Sequence, residues 1–166
     1  MKQKLGLACA LIHTPEILFL DEPTCGVDPV SRRDFWRILY ELLKENITIF
    51  VSTAYLDEAE HCTRVGLMHK GKILLSDEPN RLKMVPGMPV FEIFSPDARE
   101  AKGILAGAKG VTSVNIYGER LHIMVEDKEA IDNILDELRA KGIGIEGHRE
   151  IVPSLEDVFI TIVERQ

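Results

Sequence analysis

Cysteine is scarce in this chain and badly spaced for either of its structural uses. The three cysteines, Cys9, Cys25 and Cys62, are odd in number and include no Cys-x-x-Cys pair, which argues against a disulfide framework and a structural zinc site. A reducing compartment fits best, with Cys25 read as an inert small loop residue. Basic character is also short. Twenty Lys and Arg against 27 Asp and Glu leave a formal charge of −7, and no basic run is dense enough to follow a phosphate backbone. Nucleic acid is therefore not an expected partner. No stretch reaches the roughly 20 uninterrupted apolar residues that a bilayer span needs, and the first residues lack the basic-then-apolar order of a secretory signal. The expectation is a cytoplasmic chain, at most peripheral to a membrane. Internal repeats and low-complexity segments are absent too.

What remains is a globular composition: 166 residues, 45% hydrophobic, with mean hydropathy near zero, enough for one ordinary domain or two small ones. The chain is organised around Ile17-Leu18-Phe19-Leu20-Asp21-Glu22-Pro23-Thr24-Cys25-Gly26-Val27-Asp28. Four large apolar residues followed at once by a Pro/Gly turn suit a strand buried on both faces of a parallel sheet. Asp21 and Glu22 then stand at its carboxyl end, where open α/β sheets bind ligands. The alternative is a loop whose acids only cap the next helix. A carboxylate in that place can hold magnesium through water, and a second can orient or deprotonate a water, so the pair suits metal-assisted phosphoryl transfer.

Around this stretch the chain reads in order. A helix is expected over 3–13, with Leu5, Ala8, Leu11 and Ile12 on one stripe. Asp28-Pro29 has the form of an N-cap and first helical proline, and opens a helix over 29–45 carrying Phe35, Trp36, Ile38, Leu39, Leu42 and Leu43, with Asn46 closing it. A strand over 47–52 completes a strand–helix–strand unit of parallel type. Strands 65–69 and 72–75 flank Lys70-Gly71 as a hairpin. Two prolines and a glycine within 85–89 mark a domain boundary, dividing the chain into 1–85 and 86–166. Beyond it come strand 90–94, helix 97–105, strands 111–117 and 120–125, helix 127–141 and strand 144–151. That order is the βαββαβ of a ferredoxin-like motif. Ser154-Leu155-Glu156-Asp157 has the form of a capping box with Asp in place of Glu, opening a last helix through Val163. The five histidines, His13, His61, His69, His122 and His148, have no metal-ligand spacing and are read as surface or half-buried residues.

The motifs together resemble the ATPase subunits of ATP-binding cassette (ABC) transporters over residues 1 to 85. Ile17–Pro23 looks like the Walker B strand, Gly26-Val27-Asp28 resembles the D-loop, and Met1-Lys2-Gln3-Lys4-Leu5 matches the end of the signature motif. Asp21-Glu22-Pro23-Thr24, Tyr55-Leu56-Asp57-Glu58-Ala59-Glu60 and Pro153-Ser154-Leu155-Glu156-Asp157-Val158-Phe159 look like the drug and polysaccharide exporters of the ABC-2 class. The resemblance implies a partial P-loop-type parallel sheet with flanking helices, followed by a small α+β domain. It implies ATP and Mg²⁺ as cofactors: Asp21 holds the magnesium shell, Glu22 is the general base, and Asp28 faces a second cassette in a homo- or heterodimer. A membrane permease is the other implied partner, placing the subunit on the inner face of the cell membrane.

Three departures qualify that expectation. No G-x-x-x-x-G-K-[S/T] occurs, and the one Gly-Lys, Gly71-Lys72, lies in the hairpin, so the phosphate cradle and its lysine are missing. The chain starts within the signature motif, with Met1 where these exporters often carry methionine, as expected of an internal methionine taken as a start or of a shortened chain. Ala54 stands at the switch-loop histidine's position, where a methyl cannot hydrogen-bond a terminal phosphate. Either Thr53 or Tyr55 takes over with its hydroxyl, or the site is degenerate and pairs with a competent one. Alone, the chain is expected to lack hydrolysis and to leave apolar strand faces uncovered. The competing expectation is a non-catalytic assembly or small-ligand-binding module of a transporter complex.

Overall fold

A computed structural model describes residues 2–164; the reading of Met1 lies outside the described residues. The chain forms two compact units, residues up to Leu56 and residues from Asp57 onward. The hairpin at 65–77 thus belongs to the second unit, and the Pro/Gly break at 85–89 lies inside it. Both units mix helices with small sheets. Among the described residues, no helix is long and apolar enough to cross a membrane.

The first unit contains α1 (Lys2–Leu11), β1 (Ile17–Asp21), α2 (Pro29–Lys44) and β2 (Thr48–Ser52). β1 and β2 pair in parallel from Ile17↔Thr48 to Asp21↔Ser52, and α2 is the crossover between them. Asp28 starts α2 by accepting the Ser31 N–H at 3.0 Å, and Pro29 supplies a preset φ at the first helical position. Asn46, left-handed at φ 61°, ends the connection. Leu7, Leu18, Phe35, Trp36, Leu39 and Ile47 are buried.

Two expectations fail here. β1 is not buried on both faces: Leu18 points inward, whereas Ile17 and Phe19, and Phe50 of β2, are exposed. The pleat sends alternate residues to opposite faces, and within this unit only one face is covered. The stripe expected on α1 also differs, since Leu7 is its buried residue and Leu5 and Ile12 lie in solvent.

The second unit begins within α3 (Leu56–Ala59), at Asp57, and continues into the antiparallel hairpin β3 (Val65–His69) and β4 (Lys72–Asp77). Lys70 and Gly71 both have positive φ, 47° and 76°, as a two-residue type I′ turn requires. α4 (Pro79–Met84) follows, and then β5 (Val90–Phe94), α5 (Ala98–Leu105), β6 (Val111–Tyr117), β7 (Arg120–Val125), α6 (Ala130–Ala140), β8 (Gly147–Ile151) and α7 (Leu155–Glu164). The last four strands form one antiparallel sheet in the order β6-β7-β5-β8. One face packs Phe91, Ile93, Leu121, Ile123 and Val125 against Ala101, Leu105, Ile134, Leu135 and Leu138 of α5 and α6. Gly142 at φ 82° ends α6 while the Ile143 N–H returns to the Leu138 carbonyl at 3.0 Å, a Schellman-type stop that tucks Ile143 into this core.

The opposite face carries the intervening residues. One cross-strand row reads Asn115, His122, Glu92, Arg149 over β6, β7, β5 and β8. α7 packs on this face over β6, with Leu155, Val158 and Thr161 buried. Its N-terminus is held by Glu60, which accepts the Leu155 N–H at 3.3 Å and pairs with Lys83 at 2.7 Å.

Candidate functional site

β1 and β2 end level with each other, so Asp21 and Ser52 are direct neighbours. The Ser52 hydroxyl hydrogen-bonds Asp21 Oδ1. The Glu22 N–H continues the pairing by donating to the Ser52 carbonyl at 2.9 Å, and the Glu22 carbonyl accepts the Cys25 N–H at 3.1 Å. The turn therefore fixes Glu22 at both backbone groups, in a left-handed conformation with φ 44°. A non-glycine residue there carries strain, and such residues concentrate at functional sites. Buried Pro23 and Thr24 anchor the turn, and Gly26 at φ 71° lets it close.

Ala54 is exposed just past β2. On either side of it, Thr53 Oγ1 accepts the Tyr55 N–H at 3.0 Å, and the Tyr55 ring lies under the Arg32 guanidinium at 4.3 Å. Asp21, Glu22 and Ala54 thus share one end of the strand pair. Asp28 is at the start of α2, where the backbone N–H of Ser31, helped by its hydroxyl, holds the carboxyl below its ordinary pKa. The oxygens of Asp21 and Ser52 are hard donors but too few to enclose a metal. That set fits a magnesium ion that keeps most of its water, and not a softer metal. Among the described residues, no group of three or more His, Cys, Asp or Glu is placed to hold a metal.

A second polar cluster lies in the other unit, and reading the sequence missed it. His122 Nδ1 is 3.0 Å from Asp157 Oδ2, and its Nε2 is 3.5 Å from Glu92 Oε1. Glu92 also takes Arg149 Nε at 2.7 Å and Arg120 at 3.5 Å. Both acids are almost fully buried. Burial works against charge on each, but the cationic partners and, for Asp157, Ser154 outweigh it, so both carboxyls lie below their ordinary pKa. The signal was present in Val90-Phe91-Glu92-Ile93-Phe94 and Arg120-Leu121-His122-Ile123-Met124-Val125. Each sets an ionisable residue, Glu92 or His122, between apolar core residues and out of phase with them.

The second unit decides the relationship. Residues 78–163, which span its sheet and the helices around it, match the family model for the C-terminal domain of DrrA1-3-like ATP-binding proteins. The chain belongs to this family. Relatives of this chain are named as ATP-binding proteins of multidrug ABC transport, daunorubicin resistance or Nod factor export. The probable multidrug ABC transporter ATP-binding protein YbhF of Escherichia coli K12 is 38% identical over 165 residues, 98% of this chain and 28% of YbhF. The daunorubicin resistance ATP-binding protein DrrA2 of Streptomyces coeruleorubidus is 31% identical over 98% of this chain and 52% of its own length. The Nod factor export ATP-binding protein I of Burkholderia thailandensis is 34% identical over all of this chain and 53% of its own. The chain thus spans about half the length of two of these relatives and less of the third.

Proposed function

We propose that this chain supplies the metal- and water-handling half of the nucleotide site in an ATP-binding subunit of an ABC exporter. The observation that carries this reading is the registered strand end, where Asp21, its Ser52 partner and the strained Glu22 lie beside Ala54. Asp21 would hold Mg²⁺ through water and Glu22 would take a proton from the attacking water; the bound magnesium would offset charge on the phosphates. Asp28 would both cap α2 and face a second cassette. The parallel β1–α2–β2 unit supports assignment to a P-loop-type sheet. The β6-β7-β5-β8 order, reached through a βαββαβ sequence of elements, supports the ferredoxin-like description of the second unit.

The sequence has no P-loop, so the nucleotide's phosphates would be held by groups outside these residues. Partners on this reading are a second ATPase cassette and a membrane permease, with the subunit on the cytoplasmic face of the membrane. Ala54 would leave the terminal phosphate without the imidazole hydrogen bond, a contribution of about 3 kcal/mol where such bonds form in a transition state. Steady-state ATP turnover tests the proposal. The purified 166-residue chain is expected to show none, and turnover that disappears in Glu22→Gln would overturn the claim that the phosphate-holding groups lie elsewhere.

A further inference from the structure

Both ring nitrogens of His122 face carboxylates, Asp157 at Nδ1 and Glu92 at Nε2. A neutral imidazole has one N–H, so it would turn a lone pair toward one of two buried anions. Only the imidazolium donates to both. The two acids sit on different elements. Glu92 belongs to the sheet. Asp157 belongs to α7 and also closes that helix's capping box, accepting the Ser154 N–H at 2.9 Å while its own N–H donates to Ser154 Oγ at 3.1 Å.

We propose that His122 is a proton-operated latch for the last helix: protonated, it seats α7 on the sheet, and deprotonated, it releases it. The groups around the ring explain why the loss falls on the α7 side. Glu92 keeps Arg149 from β8 and Arg120 from β7 whatever the ring does. Asp157 faces the ring together with Tyr117 and Asn115 of β6, at 3.3 and 3.4 Å, and Ser154. All of these are neutral, and Glu156 adds a second negative charge near Tyr117. Removing the imidazolium proton therefore leaves Asp157 buried without a cationic partner, a costly state for a carboxylate. Burial of the ring opposes its charge, but hydrogen bonds and attraction from Asp157 and then Glu92 prevail, and the His122 pKa is raised. The stabilisation is thus complete below the ordinary histidine value of about 6.5 and is lost as pH rises through the folded-state pKa. Each unit of elevation corresponds to about a tenfold change in the seating equilibrium. The latch stands independently of the nucleotide-site proposal.

Hydrogen exchange on the full chain at pH 6 and pH 9, corrected for intrinsic rates, tests it together with a ring titration of His122 by NMR. Amides of α7 should lose protection relative to α6, about tenfold for each unit by which the ring pKa exceeds its free value. Glu92→Gln keeps the histidine and should move the ring titration and the α7 release to lower pH together. His122→Gln should make α7 protection independent of pH over this range. A ring pKa at or below the free value would overturn the latch. So would α7 protection that follows α6 at both pH values, or a release midpoint that stays fixed when Glu92→Gln shifts the ring. The Glu92→Gln arm decides the matter even where His122→Gln does not fold.

Discussion

Asp21 and Ser52 end two parallel strands side by side, and the hydroxyl of one is hydrogen-bonded to the carboxylate of the other. Parallel strands in register align chemistry that is 31 residues apart in sequence. This alignment gives the acidic turn a fixed orientation at the sheet's carboxyl end, and Glu22 follows in a conformation that its side chain disfavours.

That strain is measurable. Left-handed φ costs an ordinary L-residue roughly 1–2 kcal/mol, while glycine adds some unfolded-state entropy. Glu22→Gly is therefore expected to stabilise the chain by up to about 1 kcal/mol in urea titration, and Glu22→Gln to leave stability unchanged. A destabilised glycine variant would show that the turn is not strained at Glu22.

Phe19 and Phe50 expose 72% and 60% of their surface, and their rings meet at a tilt of 47° with centroids 5.7 Å apart on the open face of β1–β2. An exposed aromatic pair beside Ile17 favours self-association. Sedimentation is expected to show concentration-dependent association that Phe19→Ser with Phe50→Ser weakens. A wild-type chain that stays monomeric would contradict this.

Asp157 joins a helix cap to a buried ion pair, so Asp157→Ala should cost about 3 kcal/mol or more. By contrast, Glu137→Ala removes only the exposed i,i+4 pair with Lys141 and should cost about 0.5 kcal/mol or less. The carboxyls of Asp157 and Glu92 lie below their ordinary values. Their stabilisation is thus present above about pH 4 and is lost as pH falls from there through the folded-state values. Urea midpoints measured down to pH 3 should fall less steeply in Asp157→Asn than in the wild type.

Much of this architecture was legible because local chemistry and tertiary context agreed. β6 and β7 run over Val111–Tyr117 and Arg120–Val125 as expected, since Gly118 supplies the positive φ that a tight hairpin needs. The capping box at Ser154 was readable from spacing alone. β8 starts later than expected, at Gly147, because the Gly144 N–H and carbonyl are taken by Asp97 at 3.1 Å and Ser95 at 2.6 Å. α6 starts at Ala130 because Asp127 turns its side chain onto the Glu129 N–H. Asp21, Glu22 and Asp28 in the acidic turn, and Ala54 past β2, were singled out by motif, because each motif lies within one short stretch of sequence. The row through His122 was not: it depends on which strand lies beside which, and periodicity within one strand does not encode that.

On the proposed function, Glu22 acts on water at a nucleotide site whose phosphate-binding groups are not among these residues. The most direct test is a chimera in which these 166 residues replace the matching half of DrrA2, carrying Ala54→His. ATP turnover is expected to fall about 100-fold or more in Glu22→Gln, with ATP binding retained. Turnover unchanged by Glu22→Gln would contradict this role for Glu22.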